Sequence, residues 1–182
     1  MNITVYLGAS FGNDPMFQQK TQELGFWIAQ NGHKLIYGGS ECGLMGVIAK
    51  AVMESGGEAI GVEPRFFVNE ETQYDGLTEL IVTEDMTERK AKMIELGDAF
   101  IAMPGGTGTL EEIAEVMSKV SLRHINAPCI FYNINGFYDS MKALLERMTA
   151  VGLSSEHKQQ GIYFVTSLDE IKEIIARYNK TA

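Results

Sequence analysis

The chain has 182 residues, 45% of them apolar, which is enough to close one hydrophobic core and too little for two domains of ordinary size, so residues 1–182 read as a single domain. Its formal net charge of −9 has the wrong sign for a surface that neutralises phosphate backbones, which argues against nucleic acid as a partner. Two cysteines without CxxC or Cys/His spacing suggest neither a disulfide framework nor a zinc site, and the absence of a long apolar run or a basic leader points away from membranes and toward a cytoplasmic protein.

In chain order, short β-branched and aliphatic runs alternate with segments of helical period. The strand candidates are residues 3–7, 34–37, 58–62, 79–82, 99–103 and 129–132, with a weaker one at 162–165. The helix candidates are residues 15–30, 44–55, 86–96, 110–122, 138–150 and 168–178. This pattern predicts an α/β fold, a doubly wound parallel sheet of Rossmann-like type with helices on both faces. The last helix opens with a Ser167-x-x-Glu170 capping box. Between the third and fourth strands, residues 65–76 form a polar, acidic loop, long enough to serve as a lid or binding loop.

Nineteen glycines exceed the usual ~7% of a globular chain. Nine of them fall in three clusters, each directly after a strand candidate and before a helix: Gly8 and Gly12; Gly38, Gly39, Gly43 and Gly46; Gly105, Gly106 and Gly108. Ligands of open α/β sheets bind beyond the carboxyl ends of the strands, and a glycine turn entering a helix offers bare N–H groups to an anion. The three clusters therefore outline one anion-binding crevice. Neither a GxGxxG dinucleotide fingerprint nor a GxxxxGK[ST] P-loop is present, which disfavours dinucleotide oxidoreductases and ATPases.

After the third cluster, Thr109 and Glu112 have capping-box spacing, and Glu111, Glu112 and Glu115 place three carboxylates close to the proposed anion. Arg89 and Lys90 are the candidate compensating cations. They lie early in a helix, where the macrodipole disfavours positive charge, and Arg89 shares the stripe of Met86 and Met93. The alternative is a solvated charge run paired along its own helix. The ten methionines read as core filler, His33, His124 and His157 show no metal spacing, and Ser118 lies two turns past Glu112, facing either the pocket or solvent. On residues alone, the reading stops at a phosphate-bearing small-molecule site.

Pro104-Gly105-Gly106-Thr107-Gly108-Thr109-Leu110-Glu111-Glu112 resembles the PGGxGTxxE signature of the LONELY GUY family. The opening Gly8-x-Ser10-x-Gly12, the Gly38-Gly39 to Gly46 stretch and Arg89-Lys90 follow the family's order. The resemblance implies a homodimer without a cofactor that hydrolyses the N-glycosidic bond of N6-modified adenosine 5′-monophosphates to the free base and ribose 5-phosphate. It implies catalytic positions at Arg89 and Glu112. Gly8, Ser10, Gly39, Lys90, Gly105, Gly106, Thr107, Gly108 and Thr109 are the implied substrate- and phosphate-binding residues, with Met86, Glu111 and Ser118 as weaker site candidates. Three departures stand out: Thr87 replaces the family's histidine, Thr107 occupies a position often apolar, and Phe66 stands where a purine-facing glutamate is common. Glu70 or Glu71, in a longer loop, would be its substitute. A nucleotide sensor or carrier on the same fold is the competing reading, and a pyridoxal-phosphate decarboxylase a weaker third, because no lysine sits in a recognisable Schiff-base setting.

Overall fold

The computed structural model describes residues 1–68 and 73–179. Seven strands, β1 (Asn2–Tyr6), β2 (Lys34–Tyr37), β3 (Glu58–Pro64), β4 (Glu79–Thr83), β5 (Ala99–Ala102), β6 (Cys129–Tyr132) and β7 (Ile162–Val165), alternate with helices α1 (Pro15–Gln30), α2 (Gly43–Glu54), α3 (Arg65–Val68), α4 (Met86–Leu96), α5 (Thr107–Ser121), α6 (Asp139–Ala150), α7 (Glu156–Gln159) and α8 (Leu168–Asn179). Every strand pairing is parallel, in the order β4-β3-β2-β1-β5-β6-β7. Each expected strand and long helix is present, and the α/β expectation holds. The single-turn α3 and α7 carry too few residues for a periodic signal and were not legible.

Strand alternation divides the interior in two. Ile3, Val5, Leu35, Ile101 and Ile130 pack under α1, α2 and α8, where Leu24, Ile28, Ile48 and Ile174 meet them. Tyr6, Ile36, Phe100 and Phe131 face the other way, against Met93 of α4 and Ile113, Val116 and Val120 of α5. Both faces of the sheet are thus covered, as an all-parallel sheet requires.

The helix starts follow local chemistry. Asp14 caps α1, accepting from the Met16 N–H at 2.9 Å, with Pro15 following at the first helical position. Asp85 accepts from the Glu88 N–H while the Glu88 carboxylate takes the Glu84 N–H, closing the start of α4. Ser167 and Glu170 form the expected reciprocal box. The box expected of Thr109 and Glu112 does not form: α5 begins earlier, at Thr107, with Gly106 as a cap that offers no side chain. Thr109 is drawn inward instead, and its hydroxyl packs beneath Gly105. The first N–H groups of α5 are therefore left without a capping side chain of their own.

The order in which strands are added switches sides between β1 and β5: α1 and α2, which follow β1 and β2, cover one face, while α5, which follows β5, covers the other. This is the switch point at which doubly wound sheets open a crevice. The first and third glycine clusters both leave the sheet there.

Candidate active site

The crevice is a cavity of about 520 Å³ at the carboxyl ends of the central strands, well inside the range of small-molecule sites. All three glycine clusters reach it, through Gly8 and Gly12, Gly38, and Gly105, Gly106 and Gly108. They are tied to one another through the backbone. The Gly8 N–H donates to the Pro104 carbonyl at 3.2 Å, and the Leu44 N–H, at the start of α2, donates to the Gly8 carbonyl at 3.1 Å.

The glycines are bare for two separate reasons. Gly43 has a φ of +53°, and a Cβ there would run into the Ala9–Ser10 backbone; one on Gly105 would strike the Thr109 hydroxyl and sit 3.0 Å from the Gly8 nitrogen. These positions let the loops touch. At Gly106 and Gly108, by contrast, a Cβ would meet nothing within 4 Å. There the missing side chains leave the amides at the start of α5 open to the cavity, where the helix dipole favours an anion.

The cavity floor holds a buried ion pair. Arg89 projects inward from the first turn of α4, and its Nη1 donates to Glu112 Oε1 on α5 at 2.5 Å, with only 10% and 9% of the two side chains exposed. Arg89 Nε donates to the Val62 carbonyl at 2.9 Å. A Cβ on Gly38 would lie 2.6 Å from Nη2, so the glycine gives the guanidinium its place against β2. Three elements thus fix the orientation of one planar cation, which suits a fork of rigid donors better than a flexible ammonium. Burial raises the Glu112 pKa above the ordinary glutamate value, and the adjacent Arg89 only partly offsets it.

Among the expected site residues, Gly8, Ser10, Met86, Arg89, Gly105, Gly106, Thr107, Gly108, Thr109 and Glu112 line this one cavity. Gly39 lies just behind it, packed on Glu63 and Leu80. Lys90 does not join them: its ammonium turns along the outer side of α5 to Glu111 at 2.6 Å and Glu115 at 3.4 Å. Glu111 follows it out of the cavity, and Ser118 is exposed on α5. Glu70 and Glu71 lie outside the described residues. The charge run of α4 is thus not paired mainly along its own helix, as the alternative had it. Arg89 and Lys90 reach across to α5, and Lys92 keeps a local partner in Glu95 at 3.1 Å.

Residue-type reasoning missed several walls of the cavity. Phe11, Phe17 and Phe137 form an aromatic side, with Phe17 and Phe137 edge to face at 5.7 Å. Met45, Phe67 and Glu63 close the other. Glu63 was findable, since a charged residue ending an apolar parallel strand breaks its pattern where ligands bind. The aromatic wall was not, because Phe137 arrives from the turn after β6 and only the fold brings it to Phe17.

Similarity to known proteins agrees with this geometry. A protein named cytokinin riboside 5'-monophosphate phosphoribohydrolase from Rhodococcoides fascians is 43% identical over 152 residues, 83% of this chain and 77% of that one. One of the same name from Arabidopsis thaliana is 34% identical over 184 residues, 99% of this chain and 86% of that one. Among solved structures, a Moco carrier protein from Chlamydomonas reinhardtii superposes with a TM-score of 0.73 at 20% identity, covering 100% of this chain and 98% of that one. A molybdenum cofactor binding protein from Rippkaea orientalis does so with a TM-score of 0.69 at 22% identity, over 97% and 95%; at such identities the likeness is one of fold. The family model described as "Possible lysine decarboxylase" matches residues 45–176, and with relatives this similar over most of their length, the chain belongs to that family, the one that includes the cytokinin riboside 5'-monophosphate phosphoribohydrolases.

Proposed function

We propose that this protein is a phosphoribohydrolase that cleaves the N-glycosidic bond of adenosine 5′-monophosphates, N6-modified ones included, to the free base and ribose 5-phosphate. The observation that carries the reading is the buried Arg89–Glu112 pair at the floor of a cavity whose rim is the open Gly106–Gly108 loop. Relatives whose names state this activity support it.

In this reading the 5′-phosphate lies on the amides at the start of α5, with Thr107 and Ser10 at its edges. The ribose then falls over Glu112. As the bond from C1′ to the base breaks, its electron pair leaves with the base and positive charge builds on the sugar, which the Glu112 carboxylate stabilises. Water adds to C1′ and gives one proton to Glu112, the departing base takes up a proton from solvent, and Glu112 returns its own to solvent to close the cycle. Glu112 needs its charge for both tasks. Arg89 stays protonated throughout and cannot act as the acid; it partly offsets the effect of burial on the Glu112 carboxylate, orients it and lends positive charge to the reacting region.

The decarboxylation in the family's description finds less support. A Schiff-base mechanism needs a lysine at the substrate, and none lines the cavity among the described residues. The same reading carries a homodimer and a cytoplasmic setting. The exposed Leu110, Leu144, Val151 and Leu153 on and near α5 and α6 supply apolar surface for a dimer, for which sedimentation is the measure. Among the described residues no helix is long and apolar enough to cross a membrane.

Incubation with AMP and isopentenyl-AMP, with products separated by chromatography, tests the activity. Release of base and ribose 5-phosphate in equal amounts is expected. Nucleotide binding by calorimetry without any release would instead indicate a carrier.

A further inference from the structure

We propose that Lys90 is a positioning residue: by bridging α4 to Glu111 and Glu115 on α5 it sets the rotation at which Arg89 and Glu112 meet, and it takes no part in holding the substrate's phosphate. The inference rests on the hydrolase reading of the site. Arg89 and Glu112 stand on different helices, so the geometry of the reacting carboxylate is only as well fixed as α4 is against α5. Lys90 is not among the residues that line the cavity. Its side chain, 18% exposed, is engaged by two carboxylates of α5, Glu111 at 2.6 Å and Glu115 at 3.4 Å.

The pairing follows from helix register. Successive residues of a helix project about 100° apart, so Arg89 and Lys90 leave α4 in different directions, and Glu111 and Glu112 do the same on α5. One pair meets inside, Arg89 with Glu112, and the other outside, Lys90 with Glu111. Two contacts in different directions around the helices oppose rotation of one helix against the other, which a single contact permits. Glu115 lies one turn, about 6 Å, beyond Glu111 on the same face, so Lys90 holds α5 at two heights and opposes its sliding as well. Lys119 reaches the other carboxylate oxygen of Glu115 at 3.6 Å, and the bond to Glu111 keeps the Lys90 ammonium above the ordinary lysine value. The outer contact is thus a network that stays charged at neutral pH, and networks hold where an isolated exposed pair contributes little.

The open amides at Gly106 to Gly108 and the Glu112 carboxylate both belong to the start of α5, whereas Arg89 belongs to α4. A turn of α4 against α5 therefore spares the phosphate loop and displaces Arg89 from Glu112. A misplacement of about 1 Å at reacting groups can cost ~10²-fold in rate. A phosphate approaching Lys90 would meet Glu111 and Glu115 as well, and like charges repel.

The test measures kcat and KM for AMP, and inhibition by ribose 5-phosphate, in the wild-type protein, in Lys90→Met and in the double variant Glu111→Gln/Glu115→Gln, which breaks the same bridge from its other end. Lys90→Met is expected to lower kcat by about 3- to 30-fold, part of the ~10²-fold cost of full misplacement, with KM and the ribose 5-phosphate constant within about twofold of wild type. The double variant loses kcat to the same extent, and combining all three substitutions lowers it no further, because one bridge is removed in each case. Lys90→Arg, which still reaches both carboxylates, keeps most of the rate. Weaker inhibition by ribose 5-phosphate in Lys90→Met, with kcat intact in the double variant, overturns the proposal and returns Lys90 to the phosphate. So does an unchanged kcat in Lys90→Met, or losses that multiply in the triple variant. If Lys90→Met does not fold, the double variant decides, and a wild-type kcat there refutes the bridge. If the wild-type protein releases no base at all, the hydrolase reading fails on its own. Exchange of the Arg89 side-chain N–H protons with solvent, followed by NMR, then judges Lys90: faster exchange in Lys90→Met and in the double variant supports the bridge, and wild-type exchange in both refutes it.

Discussion

Replacing Glu112 by Gln separates what this residue does for catalysis from what it costs the fold. The substitution keeps the shape and leaves an oxygen to accept from Arg89 Nη1, but removes the charge. Loss of a general base typically lowers turnover by ~10²–10⁴-fold, or roughly 3–5 kcal/mol of barrier. The stability change has two opposing parts. A charge-assisted hydrogen bond becomes an ordinary one, a loss of about 1 kcal/mol, while the desolvation of a carboxylate 8% exposed is relieved. Because burial outweighs Arg89 and raises the Glu112 pKa, the folded protein holds this proton more tightly than the unfolded chain does. Stability from this group is therefore full below the unfolded value of about 4.3 and lost as pH rises through the higher folded value. Glu112→Gln should accordingly gain Tm relative to wild type on going from pH 4 to pH 7, even as its activity falls. Activity in the wild type should rise with pH through the same elevated value, and the variant's residual activity should lack that acid limb. The assays are base release by chromatography across pH 4–8 and thermal melts at the two ends. Turnover at the wild-type rate, or an acid limb that survives in the variant, refutes the assignment; a Tm difference moving the opposite way with pH refutes the electrostatics.

Other consequences are as direct. Arg89→Met strands the Glu112 carboxylate without its cation and should lower stability by about 3–5 kcal/mol if the charge stays buried, which denaturant melts would register as a lower midpoint. Gly105→Ala forces a Cβ into Thr109 and the Gly8 amide and should cost about 1–3 kcal/mol. Gly106→Ala meets open space and should leave Tm nearly unchanged while weakening inhibition by ribose 5-phosphate, so melts and inhibition constants together tell loop contact from ligand contact. Ser167→Ala removes the cap of α8 and should lower Tm by a few degrees, for a loss of about 1 kcal/mol, with no effect on base release.

Much of this protein is legible in its residues alone. Parallel strands buried on both faces are runs of apolar residues, and the helices between them carry a 3.6-residue period, so the α/β alternation and six long helices follow from local pattern. The glycine clusters were equally plain, because bare backbone after a strand has few other uses. Pairing across the sheet was beyond local pattern. Whether Arg89 and Lys90 would look along α4 or across to α5 depended on how these two helices, with β5 between them in sequence, pack on one sheet face. The two cations then parted: Arg89 went inward to Glu112, and Lys90 outward to Glu111 and Glu115. The Thr109–Glu112 spacing misled for the same reason, since the close approach of Gly105 to Gly8 draws Thr109 into the floor of the loop and moves the start of α5. The sequence by itself thus determined the layers of the fold and the backbone kept bare beyond the strands, because periodicity and glycine act over a few residues. Only the tertiary structure decided which charges meet and that Glu63 and Phe137 share one cavity, because burial, which sets those contacts and the Glu112 pKa, belongs to the packed sheet as a whole.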